Sequence, residues 1–121
     1  MAQLLVIEDE TVLAKNMARY FERQGHGVAI AHSGSEGLAL ASQVTPDVVI
    51  VDFQLPGLNG LEVIKALRLA DAETRIIMVT GHGSIHLAVE AMKAGSMDLL
   101  TKPISLAALD TVVTRALQER G

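Results

Sequence analysis

Cysteine is missing from this chain, and so is tryptophan. The first absence removes disulfides, thiolate zinc sites and thiol catalysis, and fits a cytosolic protein. Aromatic residues are scarce: Tyr20, Phe21 and Phe53 are the only ones among 121 residues. Half the residues are nonetheless hydrophobic, so any core must be built from Val, Ile, Leu, Ala and Met. A formal net charge of −4 leaves no basic surface of the kind that binds nucleic acid. No apolar run approaches the ~18 residues of a membrane span. The opening stretch MAQLLVIEDE has no basic n-region, so no signal peptide is expected. The length suits one domain around one core, expected over residues 1–121.

What the chain does have is short aliphatic runs. Leu4–Ile7, Val48–Val51 and Ile76–Val79 are too short for helices and rich in β-branched residues. None alternates with polar residues, which suits strands covered on both faces, as in a parallel sheet. Val28–Ala31 and Asp98–Leu100 are weaker strand candidates. Between them lie helical patterns. Val12, Leu13, Met17, Tyr20 and Phe21 form one stripe. Ser33-Gly34-Ser35-Glu36 reads as a capping box opening a second helix that Pro46 closes. Leu61, Ile64 and Leu67 mark a third, Ile85 to Ala94 a fourth, and Leu106, Leu109, Val113 and Ala116 a fifth. Ser105 is placed to cap the fifth, with Ile104 stapled onto Leu109. Strand and helix thus alternate five times, the pattern of a doubly wound α/β sandwich with right-handed crossovers.

The polar residues at the strand ends carry the chemistry. The first strand runs into Glu8-Asp9, the third into Asp52 and the fourth into Thr80, and the fifth precedes Thr101-Lys102-Pro103. In a parallel sheet the carboxyl ends share one edge, where ligands bind. Taken singly, each residue has a plain reading: a turn or cap for Asp52, a helix-dipole partner for Glu8-Asp9, a solvated charge for Lys102. Together they place carboxylates, a hydroxyl and an ammonium on one edge. Crowded carboxylates raise one another's pKa, and a hard divalent cation such as Mg2+ relieves the repulsion through oxygen ligands. A carboxylate beside Mg2+ can attack a phosphoryl group, whose oxygens then need partners of the Lys102 and Thr80 types.

The segments VIEDE, PDVVIVDFQLPGLNGLEV, IIMVTGHG, AVEAMKAG and LLTKP, in that order, closely resemble the receiver domain of two-component response regulators over nearly the whole chain. The resemblance implies a flavodoxin-like five-stranded sheet in the order 2-1-3-4-5 with five helices. It implies that Asp52 is the phosphoacceptor for a sensor histidine kinase. It implies that Glu8 and Asp9 hold Mg2+ with Asp52 and the backbone carbonyl of Gln54. Thr80 and Lys102 would bind the phosphoryl group, and Lys102-Pro103 would be a cis peptide. His82 and Gln54 occupy positions that tune acyl-phosphate hydrolysis in the family, the plain alternative for His82 being an exposed loop residue. His26, His32 and His86 read as surface residues.

The stretch TGHGSIHLAVEAMKAGSMDLLTKP looks most like receivers of the nitrogen-regulation type. Those precede an ATPase domain that works with sigma-54 and a DNA-binding domain; an excised receiver and a stand-alone regulator are both compatible with this length. Leu99 departs from the family, which usually has Tyr or Phe three residues before the lysine. With no ring to turn, the signal is expected to pass from Thr80 through Gly81-His82-Gly83 to the fourth helix. That would re-expose Val89 and Met92 for a partner or a phosphorylation-dependent homodimer. Two other readings remain open. An aspartyl phosphatase would commonly carry a second Asp where Gln54 stands, and an interaction module that never takes phosphate would have no use for the assembled acids. A nucleotide-binding domain is excluded by the glycine-free turn EDET.

Overall fold

The computed structural model describes residues 1–81 and 83–118. His82 and the last three positions of the expected 1–121 domain therefore lie outside the described residues. The chain alternates strand and helix: β1 (Gln3–Ile7), α1 (Thr11–Glu22), β2 (Gly27–Ala31), α2 (Gly34–Val44), β3 (Val48–Asp52), α3 (Gly60–Ala70), β4 (Arg75–Thr80), α4 (Ile85–Ala94), β5 (Asp98–Thr101) and α5 (Leu106–Gln118). All five strands pair in parallel, in the order β2-β1-β3-β4-β5. Among the described residues no helix is long and apolar enough to cross a membrane.

The continuous apolar runs are explained by two cores, one on each face. Leu4, Val6, Val48, Ile50, Ile77 and Val79 face Ala14, Met17 and Phe21 of α1 and Leu109, Val112 and Val113 of α5. The alternate residues Leu5, Ile7, Val49, Val51, Ile76 and Met78 face Val63, Ile64 and Leu67 of α3 and Leu87 and Ala91 of α4. Each fully buried aliphatic side chain stabilises the fold by roughly 1.5–3 kcal/mol relative to exposure. That margin is what tolerates charged groups at the sheet's carboxyl edge.

Helix boundaries follow from local hydrogen bonding, with corrections to the sequence reading. Ser33 does cap α2, accepting from the Glu36 N–H, but the reciprocal half of the box is absent: Glu36 accepts from His32 N–H instead. A complete capping box lies at α3, where Asn59 and Glu62 each bond the other's backbone N–H at 3.0 Å. Ser84 and Ser105 cap α4 and α5. Thr45 ends α2 with φ at 45°, and Pro46 next to it prevents continuation. In α1, Val12 is 72 % exposed and outside the core; Ala14 and Ala18 take inward positions with Met17 and Phe21. Val89 and Met92 are already 44 % and 46 % exposed, so no rearrangement is needed to uncover them. His26 is half-buried rather than a surface residue, its Nδ1 accepting from the Ala2 N–H at 3.1 Å. His32 and His86 are exposed.

Candidate functional site

The carboxyl edge of the sheet assembles the acidic residues because β1 and β3 are neighbours and end within a residue of the same level: Ile7 pairs with Val51. The next residues, Glu8 and Asp52, are both buried. Thr80 ends β4 one residue beyond the partner of Asp52 and is fully buried. Its carbonyl accepts the Lys102 N–H at 2.8 Å, which ties the exit of β5 to that of β4. The Lys102–Pro103 peptide that follows is cis.

Lys102 is the centre of the charge arrangement. Its Nζ lies 3.1 Å from Glu8 Oε1 and 3.3 Å from Asp52 Oδ2, and it also pairs closely with Glu10. Oxygens of Glu8, Glu10 and Asp52 all lie within 4.8 Å of one another. Three carboxylates against one ammonium leave two negative charges when all are ionised. Burial, followed by the neighbouring Asp52 charge, pushes the Glu8 carboxyl up to about 7, although the Glu10 N–H and Lys102 oppose the shift. Burial also raises Asp52 above the usual carboxylate range, against the pull of Lys102. Burial alone would lower Lys102, but the close carboxylates of Glu10, Glu8 and Asp52 outweigh it, and the ammonium is held more firmly protonated than usual.

The donor set fits a hard divalent cation. Its buried members, Glu8 and Asp52, offer oxygens alone, and their two negative charges match the charge of the ion. Glu8 Oε1 is buried and accepts no aligned hydrogen bond, despite its nearness to Lys102. Such an atom is costly to leave unsatisfied, and a metal or its bound water satisfies it.

The predicted site residues divide as follows. Glu8, Asp52 and Lys102 come together, and Thr80 stands at the adjacent strand end. Asp9 is exposed and lies outside the carboxylate group; Glu10 takes part instead. Gln54 is exposed, its N–H reaching Asp52 Oδ1 only at 3.4 Å. Leu99 is half-buried on β5 and packs on the core beneath α3 and α4. Two residues that position the site have no role in the sequence reading. Glu10 looks like a helix-dipole charge. Gly60 is hidden in a turn-forming NG pair, yet a Cβ there would lie 2.7 Å from the Asp52 carbonyl oxygen and from Phe53 Cα. Glycine lets the start of α3 close onto the β3 exit, and the Gly60 N–H donates to the Phe53 carbonyl at 2.9 Å.

Known proteins resemble the chain throughout. The acid tolerance regulatory protein ActR of Rhizobium meliloti is 38 % identical over 118 residues, covering 98 % of this chain and 59 % of ActR. NtrX of Brucella abortus, crystallised in complex with ATP, superposes with a TM-score of 0.91 at 30 % identity, over 98 % of this chain and 27 % of NtrX. A Burkholderia pseudomallei response regulator, solved with a phosphorylated aspartic acid, calcium and citrate, gives 0.88 at 34 % identity, over 99 % of this chain and 71 % of that one. This chain spans little more than half, or less, of the curated regulators it matches. Residues 4–114 match the response regulator receiver domain, and the chain belongs to that family.

Proposed function

We propose that the domain is a phosphorylation-driven switch whose phosphoacceptor is Asp52. The observation that carries this reading is a buried carboxylate at the exit of a central strand with an ammonium 3.3 Å away. In the reaction, an Asp52 oxygen attacks the phosphorus of a phosphohistidine on a sensor kinase. The phosphorus–nitrogen bond breaks, the leaving imidazole keeps its electron pair, and an acyl phosphate forms. Lys102 balances charge on the phosphoryl oxygens, and the Thr80 hydroxyl donates to one of them. Glu8 and Asp52, with Asp9 and the Gln54 carbonyl as further oxygens, would hold Mg2+. When bound, Mg2+ neutralises the oxygens of the group being transferred. The domain is no enzyme with a turnover substrate beyond this self-phosphorylation and the later hydrolysis of its own acyl phosphate, which Gln54 and His82 would tune.

The signal then leaves through Thr80 and the following loop to α4, with aliphatic Leu99 replacing an aromatic switch. Val89 and Met92, already on the surface, would be repositioned for a partner or a second copy. In the longer relatives the matching stretch is only part of the protein, and by analogy the output would be a further segment. The nitrogen-regulation resemblance and the match to NtrX support an ATPase and DNA-binding output acting with sigma-54 in the cytoplasm, whereas ActR leaves room for a much shorter one.

Acetyl phosphate with Mg2+ should add the mass of a single phosphoryl group at neutral pH, and Asp52→Asn should abolish the addition. Undiminished labelling of the variant would take the role from Asp52. A wild-type protein that is never labelled yet binds its partners would be a phosphate-independent interaction module.

A further inference from the structure

Glu10 is the outsider among the groups around Lys102. Glu8 and Asp52 are sealed in at 1–2 % side-chain exposure, whereas Glu10 is 60 % exposed. It stands at the N-cap of α1, where Asp, Asn, Ser or Thr ordinarily caps and Glu is not among the favoured residues. Here it makes no capping hydrogen bond. Its carboxylate turns instead to Lys102, while its own N–H donates to Glu8 Oε2 at 3.1 Å. A lysine has three ammonium protons to give. In this arrangement they face three carboxylates, so a phosphodonor approaching Asp52 meets an ammonium already engaged by Glu10 and Glu8 as well. Glu8 and Asp52 are fixed by burial; Glu10 is free to swing into solvent.

Resting on the phosphoacceptor reading above, we propose that Glu10 is a positioning residue that competes for Lys102. Its carboxylate occupies the ammonium until a phosphoryl oxygen replaces it, and so slows phosphorylation of Asp52. The charge argument points the same way. A phosphodonor is an anion, and Glu10 adds a negative charge at the mouth of a group that already carries an excess. Exposed ion pairs are weak and screened by salt, so the competitor yields readily to a phosphoryl dianion. It retards the reaction without preventing it. The competing role for Glu10 is that of a metal ligand, for which its oxygen is close enough to the others.

The test uses Glu10→Gln, which removes the charge and keeps the shape. Labelling by acetyl phosphate with saturating Mg2+, followed by intact mass, should be about two- to fivefold faster than wild type at low ionic strength, the factor that the worth of an exposed pair allows. That ratio should fall toward one as salt is raised, a response that a structural role would not produce. Mg2+ titration followed by backbone amide NMR should show unchanged or tighter metal binding in the variant. Slower or equal labelling at low salt overturns the inference, and weaker Mg2+ binding identifies Glu10 as a ligand instead. Absence of labelling in both proteins refutes the phosphoacceptor reading and this inference with it; equal labelling of both refutes the inference alone.

Discussion

Lys102 Nζ lies 3.3 Å from Asp52 Oδ2 and pairs also with Glu10, so one ammonium joins the last residue of β3 to the residue that precedes α1. Because Glu8 and Asp52 are buried, this ammonium is their main electrostatic compensation within the protein. Lys102→Met keeps the apolar stem and removes the charge. It should destabilise the metal-free domain by about 3 kcal/mol at pH 8, the scale for leaving buried charges uncompensated, and by much less at pH 5, where the carboxyls can be protonated. Urea unfolding at both pH values reads this directly. A loss independent of pH would mean that packing, not charge, is what the lysine supplies.

Glu8 sets a second pH dependence. Its carboxyl is raised from 4.5 to about 7 in the folded state, so the native protein holds this proton more tightly than the unfolded chain. Its contribution to stability is therefore complete below about pH 4.5 and lost as pH rises through about 7. The loss should be about 3 kcal/mol for the metal-free domain. Glu8→Gln should flatten the curve in that window, and saturating Mg2+ should restore stability to the wild type above pH 7. Parallel curves for variant and wild type would show that another group is titrating.

Asp9 is expected to behave differently from Glu8 because it is exposed and outside the carboxylate group. Asp9→Asn should change metal-free stability by no more than about 0.5 kcal/mol. If Asp9 contributes to Mg2+ binding, the same variant should lose roughly tenfold or more in affinity. Calorimetric titration and a thermal melt separate the effects, and unaltered affinity would remove Asp9 from the ligand set.

Gly60 has no room for a side chain against the Asp52 carbonyl and Phe53 Cα. Gly60→Ala should cost about 1–3 kcal/mol through displaced backbone. Amide shifts at Asp52, Phe53 and Gln54 should move with it. A variant as stable as wild type would mean that the loop relaxes without strain.

Beryllofluoride, a mimic of the phosphoryl group, should produce its largest amide shifts outside the site between Gly81 and Leu99. Within that span the effect should be smaller near Gly95, because Arg68 on α3 donates to the Gly95 carbonyl at 2.7 Å and anchors the end of α4. Arg68→Ala should extend the shifts through Gly95. Movement confined to α1 or α2 would rule out this route.

The architecture was legible because β-branched runs such as Val48–Val51 admit few alternatives to a strand covered on both faces. Asp52, Glu8, Thr80 and Lys102 were legible because strand ends in a parallel sheet must share an edge. What escaped depended on side-chain direction. Asp9 and Glu10 are adjacent acids at a helix start, and nothing in their order tells which one turns toward Lys102. Val12 falls on a plausible apolar stripe, yet it is the small Ala14 that packs into the core beside Met17 and Phe21. The capping box at Asn59-Gly60-Leu61-Glu62 was hidden because its residues also suit a turn.

β5 is an edge strand, and its two central leucines point to opposite layers: Leu99 to the side of α3 and α4, Leu100 to the side of α1 and α5. Lys102, two residues beyond Leu100, is tied to β4 through the Thr80 carbonyl. A small slide of this strand would therefore be transmitted to both surfaces at once. A protein grasping α4 and another grasping α5 would be reading one displacement from its two sides, so occupancy of either surface should alter what the other can bind.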